Sequence, residues 1–177
     1  GEVSSGYKES GYFPEAMINI LAFLGWNPGT EKEMFTLEEL VAAFSLDRVG
    51  KSGARFDPEK ARWYNQQYMK SKPSEELTAL IIPGLIARGI QPDATRVARV
   101  IEMVRERMVF PADFWDQAWY FFQAPDSYEE QMKKKVWKED TPAILSEVRD
   151  LLTHAESFRS ADLEAVIKEF IERKGLG

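Results

Sequence analysis

The feature that most constrains the fold is a series of helix-start signals spread along the whole chain. Asp57-Pro58 places an N-capping side chain directly before a proline at the first helical position. Thr36 with Glu39, and Ser127 with Glu130, have the spacing of a capping box. No segment alternates apolar and polar residues convincingly, and no Asn-Gly or Asp-Gly hairpin turn occurs. The sequence therefore predicts an all-α fold.

The same signals predict the order of the helices. Pro14 starts the first helix and Gly25 ends it, while Ser74 starts another helix that Pro83-Gly84 must bend or end. The remaining predicted helices run from Asp57 to about Lys70, from Gln91 to about Met108, from Pro111 through Phe122, from Thr141, and from Ser160 to Gly175. The basic character of the chain fades after residues 71–74. We therefore expect two small helical subdomains, residues 1–72 and residues 73–177.

Composition excludes several kinds of chemistry. The 177 residues include no cysteine and one histidine, so disulfides, thiolate zinc sites and Cys-His nucleophile pairs are impossible. His154 falls near a predicted helix C-terminus, where a cation is favoured, and the paired acids fall in first helical turns. We predict no catalytic residue and no metal site. No apolar run approaches the length of a membrane helix, so we expect no membrane association.

The Gly50-Lys51-Ser52 sequence resembles the end of a phosphate-binding loop of nucleotide-binding proteins. That loop needs a glycine where Ser45 stands, and it must follow a strand, whereas residues 36–46 have helical apolar spacing. An ATP site is therefore disfavoured. Between residues 46 and 72 there are seven basic and three acidic residues, although the net charge of the whole chain is −6. This cluster either contacts a polyanion or belongs to a solvated, mixed-charge surface.

The predicted helix from residue 93 to 108 carries arginines on the face opposite its core. Its predicted core residues are Ala94, Val97, Ala98, Ile101, Val104 and Met108. Arg96, Arg99 and Arg107 lie on the other face, with Val100 and Met103 between them. Arginines interleaved with apolar side chains can bind phosphates and unstacked bases, or they can pack under a second layer of helices.

Two further clusters have plainer interpretations. Trp115 and Trp119, with the neighbouring phenylalanines, could stack on bases, but such a density of aromatic side chains at helical spacing is typical of a core. The lysines at 133, 134, 135 and 138 alternate with flanking acids, which favours a solvated face.

Residues 11–29 (GYFPEAMINILAFLGWNPG) and 35–69 contain a series of specific motifs. These are GYFPEA, then LGW, then the stretch from Phe44 to Asp57, then Lys60 to Asn65 with Trp63 between them. Their order and spacing resemble the segment that follows the nucleotide-binding signature in bacterial glutamyl-tRNA synthetases. Residues 73–177 are similar, more weakly, to the helical anticodon-binding region of the same family.

The resemblance implies a role in binding the tRNA for glutamate. Residues 1–72 would be the stem-contact subdomain, which approaches the inner side of the tRNA, with phosphate contacts from Arg48, Lys51, Arg55 and Lys60. Residues 73–177 would be the anticodon-binding bundle, without the family's last small helical unit. There the family's M-R-x-R element matches residues 103–107, so Arg107 is the expected reader of an anticodon base, with Arg105 and Arg99 beside it.

The resemblance also implies what this chain lacks. The catalytic signatures of the family are absent, and the chain opens without methionine, so we expect a piece of a longer enzyme. That parent would join glutamate to tRNA, with ATP and Mg²⁺ bound in an upstream catalytic domain, as a cytoplasmic monomer. This chain itself is expected to bind no cofactor and to be inactive. From the residues alone, a helical protein-interaction module with no nucleic-acid role remains the alternative.

Overall fold

The computed structural model describes residues 6–50 and 53–176, and these fold into helices joined by turns. The α-helices are α1 (Pro14–Ala22), α2 (Leu37–Ala43), α3 (Pro58–Ser71), α4 (Ser74–Ile86), α5 (Ala94–Val104), α6 (Phe114–Ala118), α7 (Glu130–Val136), α8 (Thr141–Thr153) and α9 (Ser160–Lys174). Within these described residues, extended pairing is limited to an isolated antiparallel bridge between Trp26 and Val49. The prediction of an all-α fold is confirmed.

The chain divides into two compact units, one up to Ala124 and the other from Pro125 onward. The first unit is built around one core to which α1, α3, α4, α5 and α6 all contribute. Tyr64 and Met69 of α3 belong to the same buried cluster as Leu77 of α4. The predicted division at residues 72/73 therefore does not coincide with a gap in the packing. It stays a prediction about functional parts.

The local capping signals are largely correct. The Glu39 amide donates to Thr36 Oγ1 at 3.2 Å, and the Thr36 amide donates to Glu39 Oε2 at 3.0 Å, which is the predicted capping box. Asp57 Oδ1 accepts from the Glu59 amide at 2.9 Å at the start of α3. The capping box predicted for Ser127 is wrong. Helix α7 begins at Glu130 and is preceded by Glu129 without a side-chain cap, so Ser127 lies too far upstream.

Two helices have bounds that differ from the predicted ones, because packing against the core decides where they end. Helix α4 continues through Pro83 to Ile86, since Leu77, Ile81 and Leu85 on its inner face are all buried in the core. The predicted helix over residues 111–122 is instead two 3-10 turns around the five-residue α6. Most of its aromatic side chains belong to the core, as predicted: Phe114 is buried, and Trp115, Phe121 and Phe122 pack against the core partly exposed. Trp119 is only half-buried, and Tyr120 is 51% exposed.

Helix α5 has the predicted core face with two corrections. Val97, Ile101 and Val104 are fully buried, but Val100, which we predicted on the arginine face, is buried as well. Ala94, which we predicted in the core, is exposed. The helix ends at Val104 rather than near Met108, and residues Arg105–Arg107 form a 3-10 turn. That turn carries two of the predicted anticodon-binding arginines.

The second unit contains α7, α8 and α9. Phe170 of α9 is buried, Lys174 Nζ pairs with Glu147 Oε1 of α8 at 2.7 Å, and Gly175 ends α9 with φ +63°, as predicted. His154 caps the C-terminus of α8, also as predicted. None of the helices in the described residues has the length and apolarity that spanning a bilayer requires.

Candidate nucleic-acid interface

The segment around Gly50 forms a paired turn and not a nucleotide-binding loop. The Gly50 amide donates to the Gly25 carbonyl at 2.6 Å, beside the bridge between Trp26 and Val49. The residues before Ser45, where the first glycine of a phosphate-binding loop would stand, form helix α2 and not the strand that such a loop must follow. Lys51 and Ser52 lie outside the described residues, so the prediction for Lys51 stays a prediction.

Arg48 is fixed at its guanidinium and exposed overall. One guanidinium nitrogen donates to the Pro28 carbonyl across the turn formed by residues 27–29. Gly29, with φ +75°, leaves room for it, because a Cβ there would stand 3.3 Å from Arg48 Nη1. The turn closes through a bond from the Gly29 amide to Asn27 Oδ1 at 2.7 Å. A guanidinium has five donors, so most of those on Arg48 are available to a phosphate.

Arg55 and Lys60, the other described residues that we predicted to contact phosphates, differ in whether their charge is already paired. Arg55 is exposed and forms no salt bridge with any described residue. Lys60 Nζ pairs with Glu33 Oε1 at 2.9 Å and lies 5.7 Å from the centre of the Phe23 ring and 5.8 Å from that of Tyr64. Arg55 is therefore free to bind an anion, whereas Lys60 would have to leave Glu33 to do so.

The Arg105–Arg107 turn is anchored by its first residue. The Arg105 side chain is 13% exposed, and its Nη2 pairs with Glu102 Oε1 at 2.9 Å. Its Nη1 donates to the Lys70 carbonyl at 3.0 Å, and Nη2 donates to Ser74 Oγ at 2.5 Å. One guanidinium thus joins the end of α3, the start of α4 and the end of α5. The geometry gives Arg105 a positioning task.

The residues on either side of Arg107 are also held. Glu106 pairs with Lys70 Nζ at 2.7 Å, and its carbonyl accepts from Gln66 Nε2 at 3.4 Å. On the other side of Arg107, two residues after it, the Val109 carbonyl accepts from Asn65 Nδ2 at 2.6 Å. Arg107 itself is exposed and forms no hydrogen bond or ion pair with the described part of the chain. A free guanidinium therefore projects from a rigid turn.

The two arginines of α5 differ in whether their guanidinium groups have partners within the protein. Arg96 donates to the Phe121 carbonyl and its guanidinium lies 5.6 Å from the centre of the Phe122 ring, so it is packed against the protein. Arg99 is exposed without a partner among the described residues, and Met103 one turn later is 56% exposed. Arg99 thus resembles Arg107 in being available.

One neighbour of the turn was missed by the sequence analysis. Arg62 of α3 is exposed, and its guanidinium lies 5.2 Å from the centre of the Phe110 ring, three residues after Arg107. Arg62, Gln66 and Lys70 are spaced four residues apart and so lie on one face of α3. All three contact residues 106–110: Arg62 contacts Phe110, and the other two contact Glu106. That spacing was the available signal, but only the fold shows which segment lies against it.

Nothing in the described residues resembles a catalytic or metal centre. Over residues 6–50 and 53–176, no three histidine or carboxylate side chains are grouped so that they could hold a metal ion. His154 is exposed, with Nδ1 2.8 Å from the Asp150 carbonyl of its own helix. The chemistry that the exposed arginines support is anion and base recognition.

Comparison with known proteins assigns the chain to a class. Residues 67–177 match the family described as the anticodon binding domain, and the chain belongs to this family. Residues 2–63 match the family described as tRNA synthetases class I (E and Q), catalytic domain. The two matched regions are separated by residues 64–66, which lie within α3.

The relatives are more specific. The chain is 45% identical, over all of its length, to the Glutamate--tRNA ligase of Christiangramia forsetii. It is 46% identical over 99% of its length to that of Flavobacterium johnsoniae. It spans 35% of the length of each of these relatives. The resemblance to bacterial glutamyl-tRNA synthetases is confirmed.

A solved structure supports the same assignment. The chain resembles a glutamate tRNA ligase from Elizabethkingia meningosepticum, solved in complex with its amino acid, with a TM-score of 0.88 and 34% identity. The match covers 98% of this chain and 34% of that one.

Proposed function

We propose that this chain is the tRNA-binding part of a glutamate–tRNA ligase, which holds the inner side of the tRNA and reads its anticodon loop. The observation that carries the proposal is the free guanidinium of Arg107 on a turn that its neighbours hold rigidly. The relatives named as glutamate–tRNA ligases supply the identity of the tRNA. The parent enzyme would be a cytoplasmic monomer.

Arg107 is suited to read a base because its donors are unused. A guanidinium can form two parallel hydrogen bonds to one base edge, and each such pair discriminates by about 1–3 kcal/mol. Arg105 supports this reader without touching the RNA, since its donors already bind Lys70, Ser74 and Glu102. Arg99 is free to bind a phosphate or a second base of the loop.

The stem-contact part would act through phosphates. Arg48 and Arg55 are exposed. Lys51 adds a third positive charge to the same stretch of sequence. Phosphate contacts position a protein on RNA without reading sequence. Variants of these residues should therefore weaken binding to every tRNA alike.

The parent reaction requires a catalytic domain in addition to these residues. ATP and Mg²⁺ would be bound there, and that domain would form the glutamyl adenylate. We expect this chain alone to catalyse no glutamate-dependent exchange of pyrophosphate into ATP, and detectable exchange by the pure chain would contradict this part of the proposal.

The test is a salt series of binding between this chain and a glutamate tRNA transcript, beside a transcript altered only in the anticodon. The unaltered chain should prefer the first transcript, and Arg107→Ala should weaken its binding about tenfold and remove the preference. Arg149→Ala is the matched control, because Arg149 is an exposed arginine paired with Asp150. Equal binding of both transcripts by the unaltered chain would contradict anticodon reading.

The salt dependence separates this function from a protein-interaction module. Counterion release makes RNA binding fall steeply as salt rises, whereas apolar docking to a protein does not.

A further inference from the structure

We propose that the segment from Tyr128 to Lys138, here called the lysine segment, binds unpaired nucleotides through their phosphates and one stacked base. The proposal rests on the function proposed above, because the RNA concerned is the same tRNA. The lysines of this segment were predicted to form a solvated face. The structure gives three reasons to assign them a ligand.

The first reason is that α7 buries none of its side chains in the described part of the chain. Every residue from Gln123 to Asp140 is exposed, and none of the seven residues of α7 is buried. Isolated helices shorter than about 12–15 residues are marginal in water, and protein helices are stabilised chiefly by the face they bury. A helix this short therefore needs a partner to cover it.

The second reason is the charge of the segment. The segment holds four lysines and two acidic residues, Glu129 and Glu130, and all four lysines follow the acids, in a chain whose net charge is −6. Lys133 pairs with Glu130 at 2.7 Å, but Lys134, Lys135 and Lys138 form no salt bridge with any described residue. Three free ammonium groups within five residues favour a polyanion over an apolar or basic protein partner.

The third reason is the aromatic side chain that stands between those lysines. Trp137 is 54% exposed and Tyr128, before the helix, is 66% exposed. Aromatic side chains that alternate with cations are the usual means of binding single-stranded nucleic acid, because bases stack on the rings while lysines neutralise the phosphates. Trp137 lies between Lys135 and Lys138, so a base stacked on it would bring its own phosphates towards ammonium groups.

The test compares two charge-matched double variants in the salt series with the glutamate tRNA transcript. Lys134→Ala/Lys135→Ala removes two free lysines of the segment. Arg149→Ala/Lys168→Ala removes two exposed cations of the same unit that are already paired with Asp150 and Glu164. Each phosphate contact with a single strand contributes about 0.7 to the slope of log K against log salt, so the first variant should lose about 1.4 in slope. The second should lose none.

A third variant tests the stacked base. Trp137→Ala should weaken binding about fivefold or more at every salt concentration, without changing the slope. Because none of these side chains is buried, circular dichroism should show unaltered folding of all variants. The preference for the transcript with the correct anticodon should persist in each of them, since Arg107 is unchanged.

Failure of this inference and failure of the proposed function give different results. If the unaltered chain binds with anticodon preference but both double variants have the same slope, the lysine segment does not contact RNA and the inference is overturned. If the unaltered chain binds no tRNA even at low salt, the proposed function and this inference fail together.

Discussion

Arg105 and Arg107 are two residues apart and perform different tasks. The Arg105 guanidinium is almost enclosed and satisfies acceptors on three helices, whereas Arg107 binds nothing in the described residues. The family motif singles out Arg107, but nothing in the sequence predicts that Arg105 is enclosed. That enclosure arises because Lys70 of α3, Ser74 of α4 and Glu102 of α5 all lie beside Arg105.

This difference predicts that substituting Arg105 destabilises the protein much more than substituting Arg107. Arg105→Ala leaves the Lys70 carbonyl without this donor and Glu102 without its ion pair, so we expect the free energy of unfolding to fall by about 2 kcal/mol. Arg107→Ala should change it by less than about 0.5 kcal/mol. Urea denaturation of both variants measures this, and equal losses would contradict the assignment of Arg105 as the anchor.

Asn65 is a second residue whose role depends on tertiary structure. Its Oδ1 accepts from the Phe13 amide at 2.7 Å, and its Nδ2 donates to the Val109 carbonyl at 2.6 Å. We expect Asn65→Ala to lower the free energy of unfolding by about 3 kcal/mol, because two buried backbone groups lose their partners. Gln67→Ala, two residues along the same helix and half-buried, is the control and should cost less than about 1 kcal/mol. A stability of Asn65→Ala close to that of the control would show that water replaces the side chain.

Among the helices, α1 is joined to the end of α3 by an ion pair with a defined pH dependence. Lys72 Nζ lies 2.8 Å from Glu15 Oε1 and 3.3 Å from Glu76 Oε2. Partial burial acts to raise the pKa of Glu15, but the hydrogen bond to Lys72, a backbone hydrogen bond and the charge of Lys72 together outweigh it and lower this pKa below its ordinary value of 4.5. Likewise, Glu15 and Glu76 outweigh the burial of Lys72 and raise its pKa.

The sign of the effect follows from the lowered pKa of Glu15. The stabilisation is fully present above about pH 4.5 and is lost as the pH falls through the folded-state pKa. We expect Lys72→Gln to lower the free energy of unfolding by about 0.5 kcal/mol at pH 7, a modest value because the pair is partly exposed. The difference from the unaltered chain should shrink below pH 4.5. Denaturation at pH 7 and pH 3.5 measures it, and a constant difference would rule out the Glu15 pair as its source.

The helices that could be predicted from the sequence are those whose boundaries are set within a few residues. Thr36, Asp57 and Gly175 act on backbone groups of their own helix ends, so reading the chain locally was enough. The continuation of α4 through Pro83 and the break-up of residues 111–122 could not be predicted. Both depend on which side chains the shared core buries, and that is decided by distant parts of the chain.

In the molecule as a whole, the candidate site also combines features that the local sequence predicts with features that depend on distant parts of the chain. Arg107 and Arg99 could be proposed from the sequence because a family motif and a helical face single them out. The enclosure of Arg105, the pairing of Lys60 with Glu33 and the position of Arg62 against Phe110 could not be predicted, because each joins segments far apart in sequence. The exposure of the lysines was predicted as a solvated face, whereas the exposure of Trp137 beside them was visible only in the fold.

For the whole molecule, the central claim is that one chain contacts two places on a tRNA. Arg48 and Arg55, the residues we propose as phosphate contacts, lie in the region matched by the class I catalytic family, and Arg107 lies in the region matched by the anticodon binding domain. The most direct measurement is nuclease footprinting of the glutamate tRNA transcript bound to this chain. We predict protection of the anticodon loop and of the inner side of the adjoining stem, with loop protection lost in Arg107→Ala. Protection confined to other parts of the tRNA, or an unprotected anticodon loop under saturating chain, would contradict the account.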